Sequence, residues 1–198
     1  RNRSDSSIML GGLRPGMAPE RDTLHVAAGA TREIEFRLDK ARNFFYWGAL
    51  PAPSTFIVRF WLDSQPRGAI VVDAPGAAGT KIPANERVWL ITEWFYDVPE
   101  HREFESALTF NGKAWPYNER LTIDQGDSVH FRIINAAAVE HPLHLHGFYF
   151  RATRHGSYGT DSVVPARLQL LQNMRWIPIG ASATLSFALT TPGNWAFH

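Results

Sequence analysis

The sequence predicts an all-β protein folded as two successive β-sandwich domains. Aromatic and β-branched runs recur with period two, most clearly where Ile34, Phe36 and Leu38 fall on one side and Glu33, Glu35 and Arg37 on the other. Thirteen prolines and fifteen glycines punctuate these runs at turn spacing, and amphipathic helical periodicity is scarce. An apolar content of 44% over 198 residues is enough for a true core.

Taken in order, residues 1–7 are polar and predict a frayed start. Strands are expected over residues 23–27, 32–38, 43–47, 55–62 and 69–73. The run Ala74-Pro75-Gly76-Ala77-Ala78-Gly79 offers neither charge nor a bulky side chain, which predicts a domain boundary. The division is therefore a first domain over residues 1–78, a linker over 79–86 and a second domain over 87–198. In the second domain strands are expected over residues 88–94, 108–111, 120–124, 128–135, 143–152, 183–189 and 194–198.

The halves repeat. At an offset of 151 residues, Gly29-Ala30-Thr31 meets Gly180-Ala181-Ser182, and Ile34, Phe36 and Leu38 meet Leu185, Phe187 and Leu189. Asn43-Phe44-Phe45-Tyr46 meets Asn194-Trp195-Ala196-Phe197, and the next pair is Trp47 with His198. Shared β patterning matches hydrophobics by chance; it does not readily place Gly-Ala, Phe and Asn in register as well.

Chemistry concentrates in residues 141–150, His-Pro-Leu-His-Leu-His-Gly-Phe-Tyr-Phe. On a strand, positions i and i+2 share a face, so His144 and His146 project together, while Pro142 fixes the backbone after His141. Neutral imidazole suits copper, zinc, iron or nickel. The ordinary reading is a strand with solvated or hydrogen-bonded rings; three histidines in six residues, followed by a glycine, outweigh it.

The segment His141-Pro142-Leu143-His144-Leu145-His146-Gly147-Phe148 resembles the H-P-x-H-L-H-G motif of the multicopper oxidases, laccase-like proteins built from cupredoxin domains. Phe110-Asn111-Gly112-Lys113, residues 126–135 and Pro192-Gly193-Asn194-Trp195-Ala196-Phe197-His198 resemble further segments of that family, the last being the start of P-G-x-W-x-[aromatic]-H-C-H. The likeness runs from about Asp22 to the end. It implies two cupredoxin-like Greek-key sandwiches and copper as cofactor. By the same resemblance His141 matches a ligand of the blue type 1 copper, His144 a type 2 ligand, and His146 and His198 type 3 ligands of a three-copper cluster. The implied activity is one-electron oxidation of a small-molecule or metal-ion reductant coupled to reduction of O2 to water, in an extracellular or periplasmic setting.

Two departures qualify the likeness. Trp47-Gly48-Ala49 stands where the first domain of the family supplies a histidine pair, and Gly11-Gly12-Leu13 is the nearest counterpart of its other histidine motif. Trp has no lone pair for a metal, so this domain is expected to give no copper ligand. The sequence also holds no cysteine, hence no type 1 thiolate, and the motif stops at His198. The chain is thus expected to be part of a longer protein, inactive alone, with another chain or segment completing the fold and cluster. The alternative is a degenerate cupredoxin pair acting as a structural or copper-binding module. A mononuclear His site of oxygenase type lacks a convincing carboxylate partner.

Elsewhere the residues read plainly. A net charge of +1 gives no electrostatic case for nucleic acid or an anionic membrane, and no apolar run spans a bilayer. Without cysteine there are no disulfides. His25 and His101 are expected to face solvent, His130 the surface and His155 a loop. Met174 precedes the repeat unit and is not expected to serve as an axial ligand. Trp61, Trp89, Trp94, Trp115, Trp176 and Trp195 are expected to be sandwich core.

Overall fold

A computed structural model describes residues 1–14, 17, 21–50, 66–75, 85–98, 103–157 and 160–198, the side chains of 95–98 and 103–105 excepted. The expected strand 55–62, Trp61 and His101 lie outside the described residues. The strands are β1 (Ile8–Gly11), β2 (Leu24–Val26), β3 (Arg42–Ala49), β4 (Arg67–Val72), β5 (Glu86–Val98), β6 (Glu103–Phe110) and β7 (Ser128–Asn135). They continue as β8 (His141–His144), β9 (Phe150–Ser157), β10 (Thr160–Val163), β11 (Leu171–Gln172), β12 (Met174–Ile177) and β13 (Ala181–Ala188), with one 3-10 turn at Ala166–Leu168.

The first half forms a sheet in the order β2-β1-β3-β4. The second half forms a sheet in the order β10-β9-β13-β7-β5-β6, with β11 on the flank of β9, facing a ribbon of β12 and β8. Only β5 and β7 among these pairs run parallel. Alternation builds the core between these layers: Val129, Phe131 and Ile133 of β7 and Ala183, Leu185 and Phe187 of β13 point inward to meet Leu143, Leu145, Phe148 and Ile177. Phe131 packs edge-on against Phe187 and Trp89, with ring centroids 5.2 and 5.8 Å apart.

The repeat is visible in hydrogen-bond register. β1 pairs β2 as β8 pairs β12: Ile8 opposes Val26 where His141 opposes Ile177, and Leu10 opposes Leu24 where Leu143 opposes Arg175. Asn2 and Asn135 make the same knot. Each Oδ1 accepts from the backbone N–H two residues on (Ser4, Ala137), and each Nδ2 donates to the carbonyl four residues on (Ser6, Val139). Each also donates across to the equivalent strand, to Val26 O at 3.1 Å and Ile177 O at 2.9 Å. Gly29 and Gly180 both sit at positive φ, 69° and 70°, in turns closed by Ala30 N to Ala27 O and Ala181 N to Pro178 O. Only a residue without a side chain enters that region freely.

Several expectations need correction. Residues 1–7 are not frayed, because the buried Asn2 ties them down. Residues 32–38 alternate in exposure but form no strand among the described residues; the strands that pair with β13 in the second half, β7 and β9, have no counterpart among the described residues of the first. Residues 120–124 are irregular, and 143–152 is not one strand but the end of β8 and the start of β9. His155 lies on β9 rather than in a loop. Of the described tryptophans expected in the core only Trp89 is there; Trp94, Trp115, Trp176 and Trp195 are exposed.

Polar bonds join the halves. Arg67 donates to Ala136 O at 2.6 Å, and Asp161, buried and paired with Arg154 at 3.2 Å, accepts from the N–H and Nδ2 of Asn43 at 3.0 Å each. Arg132 bridges Asp73 and Glu86 at 2.7 Å. No helix among the described residues is long and apolar enough to cross a membrane.

Candidate metal centre

The motif histidines divide between two faces of one short strand. On β8, His141 and Leu143 are buried, whereas Pro142 and His144 face outward. Leu145 returns to the core through a bridge to Phe197, and His146 is exposed beside His144. Gly147 then turns the chain at φ 75°. A Cβ there would also lie 2.4 Å from the Trp195 ring, so the glycine both permits the turn and lets the indole close over it.

The C-terminal segment brings the third ring. His144 and His198 exchange backbone bonds of 2.7 and 3.1 Å, and His146 N–H donates to Ala196 O at 3.0 Å. The ring centroids of His144, His146 and His198 lie 4.6, 5.1 and 5.6 Å apart. The Nε2 atoms of His146 and His198 are 3.0 Å apart, one donating and the other accepting. That separation fits two nitrogens each about 2 Å from a single ion. His144 Nδ1 lies 2.8 Å from Asn173 O. A carbonyl only accepts, so Nδ1 carries the proton and Nε2 of the neutral ring keeps its lone pair. Among the described residues no three His, Cys, Asp or Glu side chains are already arranged around one metal position. The preformed element is the His146–His198 pair, with His144 beside it.

His141 is apart from these rings. Its Nε2 is buried with no hydrogen-bond partner among the described residues. Burial pushes its pKa below the usual 6.5, against the pull of the buried Glu93, so the ring is held neutral with a nitrogen lone pair available. An orphaned imidazole nitrogen is the kind of atom a metal would satisfy. The other ligands of a blue copper site are a different matter: the sequence has no thiolate, and Met174 sits opposite His144, on the face away from His141. The donor set thus fits part of a copper cluster and one ligand of a type 1 site.

The first half carries no such donors at the equivalent places. Gly11 opposes Trp47 as His144 opposes His198, and the register sets Ile8 at the position of His141. Trp47 is buried and fills the space beside Gly11, where a Cβ would meet its ring at 2.4 Å. Asn173 and Glu93 were not legible as site residues. Asn173 acts through its main chain, which leaves no side-chain signal; Glu93 did leave one, as a carboxylate between the apolar stretches of β5.

Residues 92–198, more than half of the chain, match the multicopper oxidase family. The chain belongs to the multicopper oxidase family. Laccase-7 of Arabidopsis thaliana is 37% identical over 67 residues, which are 31% of this chain and 12% of the laccase. A blue copper oxidase from Nitrosomonas europaea superposes with a TM-score of 0.70 at 15% identity, over 100% of this chain and 64% of that one. A copper nitrite reductase from the same organism gives 0.67 at 19% identity, over 98% and 69%. These structural likenesses establish the cupredoxin-like sandwich fold. This multicopper oxidase chain spans about an eighth of the length of the curated laccase it matches.

Proposed function

We propose that the chain is the copper-bearing part of a laccase-like oxidase that removes single electrons from a small-molecule or metal-ion reductant and passes four to O2, which takes up four protons to give two waters. The observation that carries this reading is the convergence of His144, His146 and His198 on one outer face, with His141 turned inward from the same strand. Copper, when bound, supplies the one-electron chemistry that side chains do not. The residues hold and orient: Asn173 O fixes the His144 tautomer, the paired backbone bonds to His144 fix His198, and Trp195 over Gly147 fixes the turn after His146. In this reading His141 is a type 1 ligand, His144 a type 2 ligand, and His146 and His198 type 3 ligands.

The domain division belongs to the same proposal: residues 1–78 without copper ligands, a linker over 79–86, and 87–198 bearing the ligands. β5 already begins at Glu86. An extracellular or periplasmic location and a further chain or segment completing the cluster are also part of it.

A second reading has its own support. Gly11 and Trp47 in place of histidines favour a copper-binding module without oxidase activity. Copper titration of the chain followed by electron paramagnetic resonance tests both. His144→Ala and His146→Ala should each weaken copper binding at least ~10-fold; unchanged binding would exclude the proposed site. O2 uptake with a phenolic reductant by the chain as it stands would show that the missing thiolate is dispensable and that the assigned electron route is wrong. Copper binding without turnover in a protein that also contains the thiolate would favour the module.

A further inference from the structure

At one open end of the second sandwich the inward-facing positions change character. Directly opposed residues of an antiparallel pair share a face, so His155, opposite Ala183, and Ser157, opposite Ala181, continue the core side of the large sheet. Ser162, opposite His155, does the same on β10. On the facing ribbon Arg175 sits opposite the buried Leu143 and next along from the buried Ile177. Polar groups from one sheet and a guanidinium from the other therefore line a cavity of about 350 Å3, with Ile177 and Pro178 as its apolar side. That volume is within the usual range for small-molecule sites.

Arg175 is the unusual member. A guanidinium stays charged in a protein, and Arg175 holds its own half-buried without a counter-ion among the described residues. Arg14, Arg132 and Arg154 each lie against a carboxylate. Arg175 has neither an ion pair nor a hydrogen bond among the described residues, and its Nε is buried and unpartnered. Desolvation pulls its pKa down, with no neighbouring carboxylate opposing it. The nearby Asp161 is committed to Arg154 and Asn43, and no acidic side chain lines the cavity among the described residues.

We propose that this cavity binds a small organic carboxylate, its oxygens paired with the Arg175 guanidinium and the hydroxyls of Ser157 and Ser162, its apolar part lying against Ile177 and Pro178. Arg presents a planar fork that matches a carboxylate with two parallel bonds. The site is separate from the histidine centre and does not depend on copper or on the oxidase reading.

Benzoate is the probe, titrated against the 198-residue chain by calorimetry, with acetate and inorganic phosphate as comparison arms. Saturable benzoate binding at one site is expected, with amide shifts in a 15N-labelled sample centred on β9, β10 and β12. Arg175→Gln should weaken it at least ~10-fold and Arg175→Lys by less, since the charge remains without the fork. Ser157→Ala should weaken benzoate several-fold, whereas Trp176→Ala, on the outer face of β12 opposite Pro142, should leave it unchanged. Near-UV circular dichroism identifies any variant that has lost its fold; the amide shifts and Ser157→Ala then decide the matter. Absence of benzoate binding to the unmodified chain, shifts located elsewhere, equal binding by folded Arg175→Gln, or phosphate binding tighter than benzoate would each overturn the proposal.

Discussion

Asn135 is fully buried, and its side chain satisfies one N–H and two carbonyls. Replacing it by Ala strands those groups, each an unpaid desolvation, and should cost about 3 kcal/mol in a urea melt. Asn2→Ala removes the same knot nearer the surface, where water can reach the freed groups, and should cost about 1–2 kcal/mol. Equal losses would mean that the two knots are not alike in energy. Asp161 makes a separate case. Burial raises its pKa above 3.8 despite Arg154, so the folded state favours the protonated acid. Its contribution to stability is therefore full below the unfolded value of 3.8 and is lost as pH rises through the higher folded value. Asp161→Asn should flatten that fall in a stability–pH series; an unchanged series would place the pKa elsewhere. At this scale the motif histidines were legible because i, i+2 spacing needs no tertiary knowledge. Asn135 was not, since an Asn closing a strand looks like any turn residue until the second strand that it bonds is known.

Among the elements, the β1–β3 pair shows complementarity that no local pattern reveals. Gly11 is flat because Trp47 lies over it. Gly11→Ala should cost about 1–3 kcal/mol through overpacking, and Trp47→Ala about 3–5 kcal/mol through the cavity it leaves. In the Trp47→Ala background the Gly11→Ala penalty should nearly vanish, because the clash has gone; strict additivity in thermal melts would show that the two do not press on one another. The same dependence on partners explains where strands were misjudged. Residues 32–38 alternate as β13 does, but a strand requires a neighbour to complete its ladder. Gly147 cuts one apolar run into β8 and β9 through its backbone angle, and that break is what lets Leu145 reach Phe197. The short β10, β11 and β12 carry too few residues for alternation to register.

For the molecule as a whole, two sandwiches and their repeat were legible from Gly29 onward, because duplicated turns and aromatic positions survive where pairwise identity fades. The earlier part of the repeat was hidden by a change of offset. Chain equivalences run at 133 residues for Asn2 with Asn135, Ile8 with His141 and Gly11 with His144, then at 151 for Val26 with Ile177 and Trp47 with His198. If copper belongs to the second sandwich alone, a variant with Ala at His141, His144, His146 and His198 should keep its fold and bring bound copper, measured by atomic absorption, to background. Stoichiometric copper in that variant would put donors in the first sandwich.

The difference between the two offsets, 18 residues, falls between β8 and β12, in the stretch that holds β9, β10 and β11. The first copy spends only the residues from Gly12 to Thr23 there, and carries Leu24 where the second carries Arg175. His155, Ser157 and Ser162 therefore have no counterparts in the shorter first copy. The histidine strand occupies a position that both copies share, whereas the polar wall of the cavity stands on residues that the second copy alone possesses, so a change there leaves the common scaffold untouched.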